Sequence, residues 1–471
     1  MEPDDQTLTR EQTEQSAVGA EEHLALVIAW SREEPDRIGE RWVLPGRGEA
    51  LIGRGGPRAD DPAPRLLPVR LRPGERQPTG PLRSQRVSRQ QLRLAAAAGQ
   101  LVAHNIGRCA LRHNGRPVTE APLADGDVLE LDKQLVLLCV RSTEHLPGVA
   151  QHPFGEADAH GIVGESAETW ELRRQLRFAG PRLAHVLLLG ASGVGKELAA
   201  RALHTLSARS GGPFVRRNAA TLPEGLIDAE LFGNIAGYPN PGMPARPGLI
   251  GAADGGSLFL DELAELHHES QSHLLRVLDS GEYQPLGSAR CQRARFRLLA
   301  ATNRPSDALK HDVLARFGLI LRLPDLNARR EDIPLLIRHV LRQRMAADPA
   351  LAQRFAAPSG PRISPALLTV LLRHRYTTHI REISAILWQS MLESTDGTLR
   401  RPSTFPEAPA SVWAAWVGQP PQALPPAAIQ ACLDAHNGNQ VLTAEALGLS
   451  SRHVLNRLIK RHQLTVRRTP T

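Results

Sequence analysis

An apolar run, His185-Val-Leu-Leu-Leu189, leads into Gly190-Ala-Ser-Gly-Val-Gly-Lys196-Glu197 and then into Leu198-Ala-Ala-Arg-Ala-Leu203. This order leaves few folding options: a buried strand, a glycine turn and the start of a helix. The glycines let backbone N–H groups converge on anionic oxygens. The helix N-terminus adds positive potential, and Lys196 reaches terminal phosphates. Glu197 stands where a Ser or Thr would contribute a magnesium ligand. A second stretch, Gly255-Gly-Ser-Leu-Phe-Leu-Asp261-Glu262, reads as an apolar strand ending in two carboxylates. Asp261 can hold magnesium directly or through water, and Glu262 can orient or activate an attacking water. Each piece alone also suits a plain glycine turn or a charged strand end. In this order they imply binding of a nucleoside triphosphate with magnesium.

At 471 residues the chain is long enough for more than one domain, and 41% hydrophobic content is ample for packed cores. No apolar run is long enough to span a bilayer, and the start carries acids in place of a basic, apolar leader. A cytoplasmic location and no membrane partner are expected. Cys109, Cys139, Cys291 and Cys432 have neither metal-ligand nor disulfide spacing. The formal charge of +8 is unevenly spread: Glu2 to Glu22 is acidic, while beyond Glu445 come only Arg452, Arg457, Lys460, Arg461, Arg467 and Arg468. A basic end of this kind suggests nucleic acid, although a solvated face has the same composition.

Residues 1–21 are polar and read as a disordered tail. Residues 22–142 read as short strands, among them Leu24–Ile28, Trp42–Leu44, Leu101–Ala103, Val128–Leu131 and Leu135–Val140. Asn114-Gly115 and Asp125-Gly-Asp127 punctuate them as turns, the pattern of an all-β sandwich. Residues 143–159 read as a linker. Strands and helices then alternate over 160–325, as in an α/β nucleotide domain, and 326–394 is helical. Residues 395–424, rich in proline, alanine and small polar side chains, read as a second linker, and 425–471 as a small all-α unit.

The centre of the chain, Gly161 to Glu393, resembles the AAA+ domain of bacterial enhancer-binding proteins, the activators of sigma-54 RNA polymerase. Gly161-Ile-Val-Gly-Glu-Ser166 looks like the family's segment beside the adenine, which brings in Ile162 and Val163. The glutamate after Lys196 is itself typical of the family. Phe214-Val-Arg-Arg-Asn218 resembles the segment whose asparagine holds the catalytic glutamate, and Leu299-Ala-Ala-Thr-Asn303 resembles sensor I. His379-Ile-Arg381-Glu382 resembles the lid segment with the sensor II arginine. The resemblance implies a homo-oligomeric ring in which arginines of one subunit complete the next subunit's site. The matching positions here are Lys310 and Arg316, so one finger keeps its charge but loses the planar fork. The polymerase-contact loop departs from the family's Gly-Ala-Phe-Thr-Gly-Ala. It reads Gly237-Tyr238-Pro239-Asn240-Pro241-Gly242, with one aromatic and two stiffening prolines.

The sandwich resembles a forkhead-associated domain, a reader of phosphothreonine proteins. Ile52-Gly53-Arg54, Val87-Ser88-Arg89, Asn114-Gly115 and Leu123-Ala-Asp-Gly126-Asp127 fall in the family's order. The resemblance implies phosphate contacts from Arg54, Ser88, Arg89 and Asn114. Gln90-Gln91 replaces the usual pair containing histidine. The end, Ala427 to Leu464, resembles a Fis-type helix-turn-helix, with Asn437-Gly438-Asn439 and Ser450-Ser451 as caps and Gly448 as the turn. Val454, Leu455 and Leu458 would then pack inward, and Arg452, His453, Asn456, Arg457 and Lys460 would face DNA.

Two functions follow from these features. The first is an ATP-hydrolysing, DNA-bound transcription regulator of the sigma-54 activator type, controlled through its phosphopeptide-sensing sandwich. The alternative is a nucleotide-gated DNA-binding and oligomerisation module whose contact loop does not engage sigma-54. The intact Asp261-Glu262 pair and Asn303 favour the first, whereas the contact loop and Lys310 favour the second.

Overall fold

The computed structural model describes residues 22–97, 100–305, 308–357, 360–405, 421, 424–435, 440–449, 452–462 and 464–466; within these, the side chains at 97, 224, 268, 269, 431, 435, 442, 445 and 453 are not described. The tail expected at 1–21, the centre of the linker expected at 395–424, and the caps at Asn437–Asn439 and Ser450-Ser451 lie outside the described residues. The chain divides into two compact units, split after Pro402.

The first unit opens with twelve strands: β1 His23–Ser31, β2 Arg41–Val43, β3 Gly48–Ile52, β4 Val69–Arg72, β5 Glu75–Pro78, β6 Leu92–Ala97, β7 Gln100–Asn105, β8 Leu111–His113, β9 Arg116–Val118, β10 Glu120–Pro122, β11 Val128–Leu131 and β12 Leu135–Ser142. They form two sheets, ordered β5-β4-β2-β1-β12-β11-β8-β9 and β10-β7-β6-β3. One core joins the sheets: Leu26, Ile28 and Leu137 from the first meet Ile52, Leu92 and Leu94 from the second. Between β8 and β9 the chain reverses in two residues, Asn114 at φ 53° and Gly115 at φ 84°. This left-handed pair matches the strand twist in a tight hairpin.

The next strands are β13 Val186–Leu189, β14 Phe214–Asn218, β15 Ser257–Asp261, the short hairpin β16 Glu282–Tyr283 and β17 Gln292–Arg293, β18 Arg297–Thr302 and β19 Leu319–Arg322. All but the hairpin join one parallel sheet in the order β14-β15-β18-β13-β19. The apolar runs are explained by burial of both faces. Leu187, Leu189, Leu258 and Leu260 enter one core, while Val186, Leu188, Phe259 and Leu299 enter another. Period-two alternation sends neighbours to opposite sides.

Around the sheet lie α1 Ala167–Ala179, α2 Lys196–Thr205, α3 Ile227–Phe232, α4 Gly248–Ala252, α5 His268–Ser280 and α6 His311–Leu314. Four further helices follow: α7 Ile333–Ala347, α8 Pro349–Phe355, α9 Pro365–Arg373 and α10 Ile380–Glu393. The second unit holds α11 Pro426–Ala435, α12 Gln440–Ala446 and α13 Arg452–His462.

Among the described residues, parts of both segments that read as linkers are packed. Leu146 is buried with Val69, Leu71 and Trp170. Leu399 is fully buried; its N–H donates to the Arg362 carbonyl (2.7 Å) and its carbonyl accepts from Ser364 N (2.9 Å). Proline and glycine content marks irregular backbone, but a single apolar anchor is enough to dock it.

Candidate active site

The phosphate loop leaves β13, between β18 and β19 in the sheet, and ends at the first residue of α2. Gly193 and Gly195 have φ of +80° and +107°, a region that side chains avoid, so the loop can turn its amides inward. Val194 between them is buried in the core and anchors the loop. Lys196 is 7% exposed. Its Nζ donates to the carbonyls of Gly190 (2.9 Å) and Ala191 (3.3 Å) and lies 3.7 Å from the Glu262 carboxylate. A buried cation at the end of a glycine loop, held by two carbonyls and a carboxylate, suits a polyphosphate.

Asp261 ends β15 and Asn303 follows β18, so parallel register brings both to the end of the sheet that carries the loop. Glu262 sits at φ 53°, ψ 47°, a conformation that glutamate rarely adopts and that is characteristic of functional turns. Its carboxylate accepts from the Asn303 amide (3.1 Å), and its own amide donates to Asp261 Oδ1 (3.0 Å). Burial pushes the Asp261 carboxyl above its ordinary value; Lys196 opposes this, and Glu262 adds to it. A half-buried carboxylate of this kind gains from a cation. Glu197 turns away, pairing with Arg216 and, at 3.8 Å, with Arg201. That leaves Asp261 and Glu262 as the carboxylates facing Lys196. Among the described residues no cluster of three His, Cys, Asp or Glu side chains could hold a metal ion alone.

From the helical subdomain, Arg381 Nη1 donates to Ser192 Oγ (2.8 Å) and Ile380 N to the Gly193 carbonyl (3.3 Å). A Cβ on Gly193 would lie 2.2 Å from the Thr378 carbonyl, so the two segments approach too closely for a side chain. Ile162 and Val163 are buried, with the Ile162 carbonyl accepting from Arg173 (2.9 Å).

Several expected residues are engaged elsewhere. Asn218 pairs in register with Asp261, but its side-chain oxygen caps the following turn through Ala220 N (2.9 Å). Among the described contacts, Glu262 is held by Lys196 and the Asn303 amide, not by Asn218. Lys310 Nζ donates to Ser272 Oγ (2.5 Å), and Arg316 pairs with Asp279 (3.0 Å). Among the described contacts, neither reaches the phosphate loop of its own chain. Two residues escaped the sequence reading. Arg329 donates to the Val194 carbonyl (3.2 Å) and to Thr169 Oγ1 (3.3 Å). Asp332, fully buried, accepts from the Glu165 and Ser166 amides and from the hydroxyls of Ser166 and Thr169. The run Arg329-Arg-Glu-Asp332 looks like a solvated helix start; its only sequence signal is a charge cluster directly before the apolar Ile333.

The loop Gly237 to Gly242 is exposed throughout. Its base is tied by Asn234, whose amide donates to the carbonyls of Ile235 (2.9 Å), Tyr238 (3.2 Å) and Pro244 (3.1 Å). In the β-rich region Arg54, Ser88 and Arg89 are neighbours. Arg54 N donates to the Ser88 carbonyl (3.0 Å), and Ser88 Oγ accepts from Arg108 N (2.8 Å). Gln91 is fully buried and bridges these loops, accepting from Ser88 N (3.1 Å) and donating to Asn105 and Cys109. Asn114 is apart from this group: its amide donates to Asp127 (2.7 Å) and its oxygen accepts from Val128 N (2.9 Å). In the second unit Leu455 and Leu458 are buried beside Val454, Arg452, Arg457 and Lys460 are exposed, and Asn456 is half-buried. The His453 side chain lies outside the described residues.

Residues 162–328 match the model of the sigma-54 interaction domain. The acetoin catabolism regulatory protein of Cupriavidus necator is 36% identical over 290 residues, 60% of this chain and 42% of its own length, so the chain spans less than half of that relative. The DNA-binding transcriptional regulator NtrC of Bradyrhizobium sp. is 32% identical over 356 residues, covering 67% of this chain and 72% of that protein. Among solved structures, NtrX from Brucella abortus in complex with ADP has 28% identity and a TM-score of 0.47, covering 65% of this chain and 70% of that one. The sigma-54 interaction domain, and an alignment that takes in most of NtrC at this identity, establish that the chain belongs to the sigma-54-dependent transcriptional regulators and that its central domain is the family's AAA+ P-loop ATPase domain.

Proposed function

We propose that this chain is a magnesium-dependent ATPase that regulates transcription from DNA, with the β-rich region as its phosphopeptide-sensing input. The observation that carries the reading is the convergence of Lys196, Asp261, Glu262, the Asn303 amide and Arg381 on one phosphate loop. Lys196 trades its carbonyl contacts for terminal phosphates. Glu262, released from the lysine, orients water for attack, with Asn303 beside it. Arg381 and Ser192 join the lid to the phosphate end, and Ile162 and Val163 flank the base. Asp261 would hold magnesium, which neutralises charge on the phosphate oxygens. Arg316 and Lys310 serve the neighbouring subunit in a ring, consistent with their contacts away from their own site.

Residues 22–142 act as the forkhead-associated-like input through Arg54, Ser88, Arg89 and the adjoining Arg108 amide. Asn114 is assigned to the hairpin. Residues 143–159 dock that input onto the ATPase core at 160–325, with its lid at 326–394. Residues 395–424 lead to the helix-turn-helix at 425–471, where Arg452, His453, Asn456, Arg457 and Lys460 meet DNA in the cytoplasm. The second reading, a nucleotide-gated module on DNA that does not engage sigma-54, is favoured by the exposed loop Gly237 to Gly242, which keeps one aromatic and two prolines.

ATP turnover tests the proposal. Specific activity should rise with protein concentration as rings form. Lys196→Ala should lose nucleotide binding, and Glu262→Gln should bind ATP without cleaving it. Parent-level turnover by Glu262→Gln would sink the assignment.

A further inference from the structure

We propose that Arg41, on β2 of the N-terminal sandwich, is a positioning residue of the nucleotide site, an inference that rests on reading Gly190 to Lys196 as that site. Arg41 is 2% exposed. Its Nη1 donates to Ser142 Oγ (2.8 Å) within the sandwich and to Glu331 Oε2 (2.8 Å) outside it. Glu331 lies in a single helical turn, 330–332, directly before α7. Arg329, two positions before it, reaches the phosphate loop, and Asp332, directly after it, reaches the segment beyond Ile162 and Val163. Arg329 donates to the carbonyl of Val194, inside the loop. Asp332 gathers the amides of Glu165 and Ser166 and the hydroxyl of Thr169, just beyond Ile162 and Val163. Four residues thus connect a sandwich strand to the backbone that would receive phosphate.

The sandwich grips the same region at a second point. Arg72, on β4 beside β2, pairs with Glu165 (2.9 Å). Glu165 also accepts from Gly155 N (2.7 Å) and from Trp170 Nε1 (3.1 Å). Val69, Leu71, Leu146 and Trp170 close an apolar contact around this pair. Residues 329–332 are therefore held from the sandwich side as well as from the core. Burial pushes the Glu331 carboxyl up to about 7; Arg41 opposes that shift, while Asp332 and Glu168 add to it. Without Arg41 the carboxyl would have a cost of burial and no counter-ion, and the turn would be free to shift. Any such shift passes to Val194 through Arg329. Binding should suffer more than chemistry, because Asp261 and Glu262 stand at the end of β15, outside the loop that Arg329 holds.

The test uses the full chain and a fluorescent N-methylanthraniloyl ATP, with ATP turnover alongside. Arg41→Met should weaken nucleotide binding by roughly five- to fiftyfold and raise KM more than it lowers kcat. Arg41→Lys should recover part of the affinity. Wild-type affinity in a folded Arg41→Met protein would overturn the proposal. If that variant does not fold, Arg41→Gln, which keeps a hydrogen-bond donor but no charge, replaces it; weakened binding by folded Arg41→Gln supports the proposal, and wild-type binding overturns it. If the wild-type chain itself fails to bind the probe, the nucleotide reading falls first and takes this inference with it.

Discussion

Asp332→Ala offers a stringent probe of how the ATPase unit is assembled. The carboxylate is fully buried and accepts four hydrogen bonds: from Glu165 N (2.7 Å), Ser166 N (2.9 Å), Ser166 Oγ (2.7 Å) and Thr169 Oγ1 (2.6 Å). Gly164 approaches so closely that a Cβ would lie 2.4 Å from the carboxylate. Truncation would leave two amides at the start of α1 without acceptors, where a helix has no internal partner to offer. Hydrogen bonds to a charged group contribute about 1.5–3 kcal/mol each, but the four share one carboxylate and do not add. Removing one member of a buried charged network typically costs about 3–5 kcal/mol, and that is the expected loss. For a unit of this size each kcal/mol moves the transition by roughly 2–4 °C, so the apparent Tm should fall by roughly 6–20 °C. Asp332→Asn should be milder, about 1–2 kcal/mol, because its oxygen keeps both amides and the two hydroxyls can turn to accept. Far-ultraviolet circular dichroism at one scan rate measures both variants. A fall below roughly 2 °C in Asp332→Ala, or equal damage from Asn and Ala, would refute the argument.

Three further outcomes are expected. Gly193→Ala should weaken ATP binding at least tenfold, roughly 1.4 kcal/mol, by pushing its Cβ against the Thr378 carbonyl; unchanged affinity in anisotropy titration would remove that contact from the site. Sigma-54 capture with an ATP transition-state analogue should be weak, because Pro239 and Pro241 restrict the exposed loop and remove two N–H donors; robust capture that is lost in Tyr238→Ala would reverse this expectation. The folded carboxyl of Glu331 is raised from 4.5 to about 7, so its contribution to stability is fully present below about 4.5 and is lost as pH rises through about 7. Urea titrations should find that slope reduced in Glu331→Gln, and an identical pH profile in both proteins would count against it.

The chain's local signals were legible because they act through adjacent residues. Glycines at 193 and 195 and a lysine at 196 specify a turn and a helix start wherever they occur between a buried strand and an amphipathic run. Unbroken apolar runs specify burial of both faces of β13, β15 and β18, and Asn114-Gly115 specifies a hairpin. Other features belonged to tertiary structure. Asp332 reaches residues 163 to 167 positions earlier in the chain, and Arg41 reaches across 290 positions to Glu331. A charge cluster gives no local sign of whether it will be solvated or enclosed, since that depends on which surface folds over it. The same limit explains Asn218 and Asn114: residue type and order identified plausible donors, but the direction of each amide was decided by the nearest unsatisfied backbone group, Ala220 N for one and Val128 N for the other. Sequence thus determined which backbone could cradle phosphate, and the packed structure decided which side chains were left free to serve it.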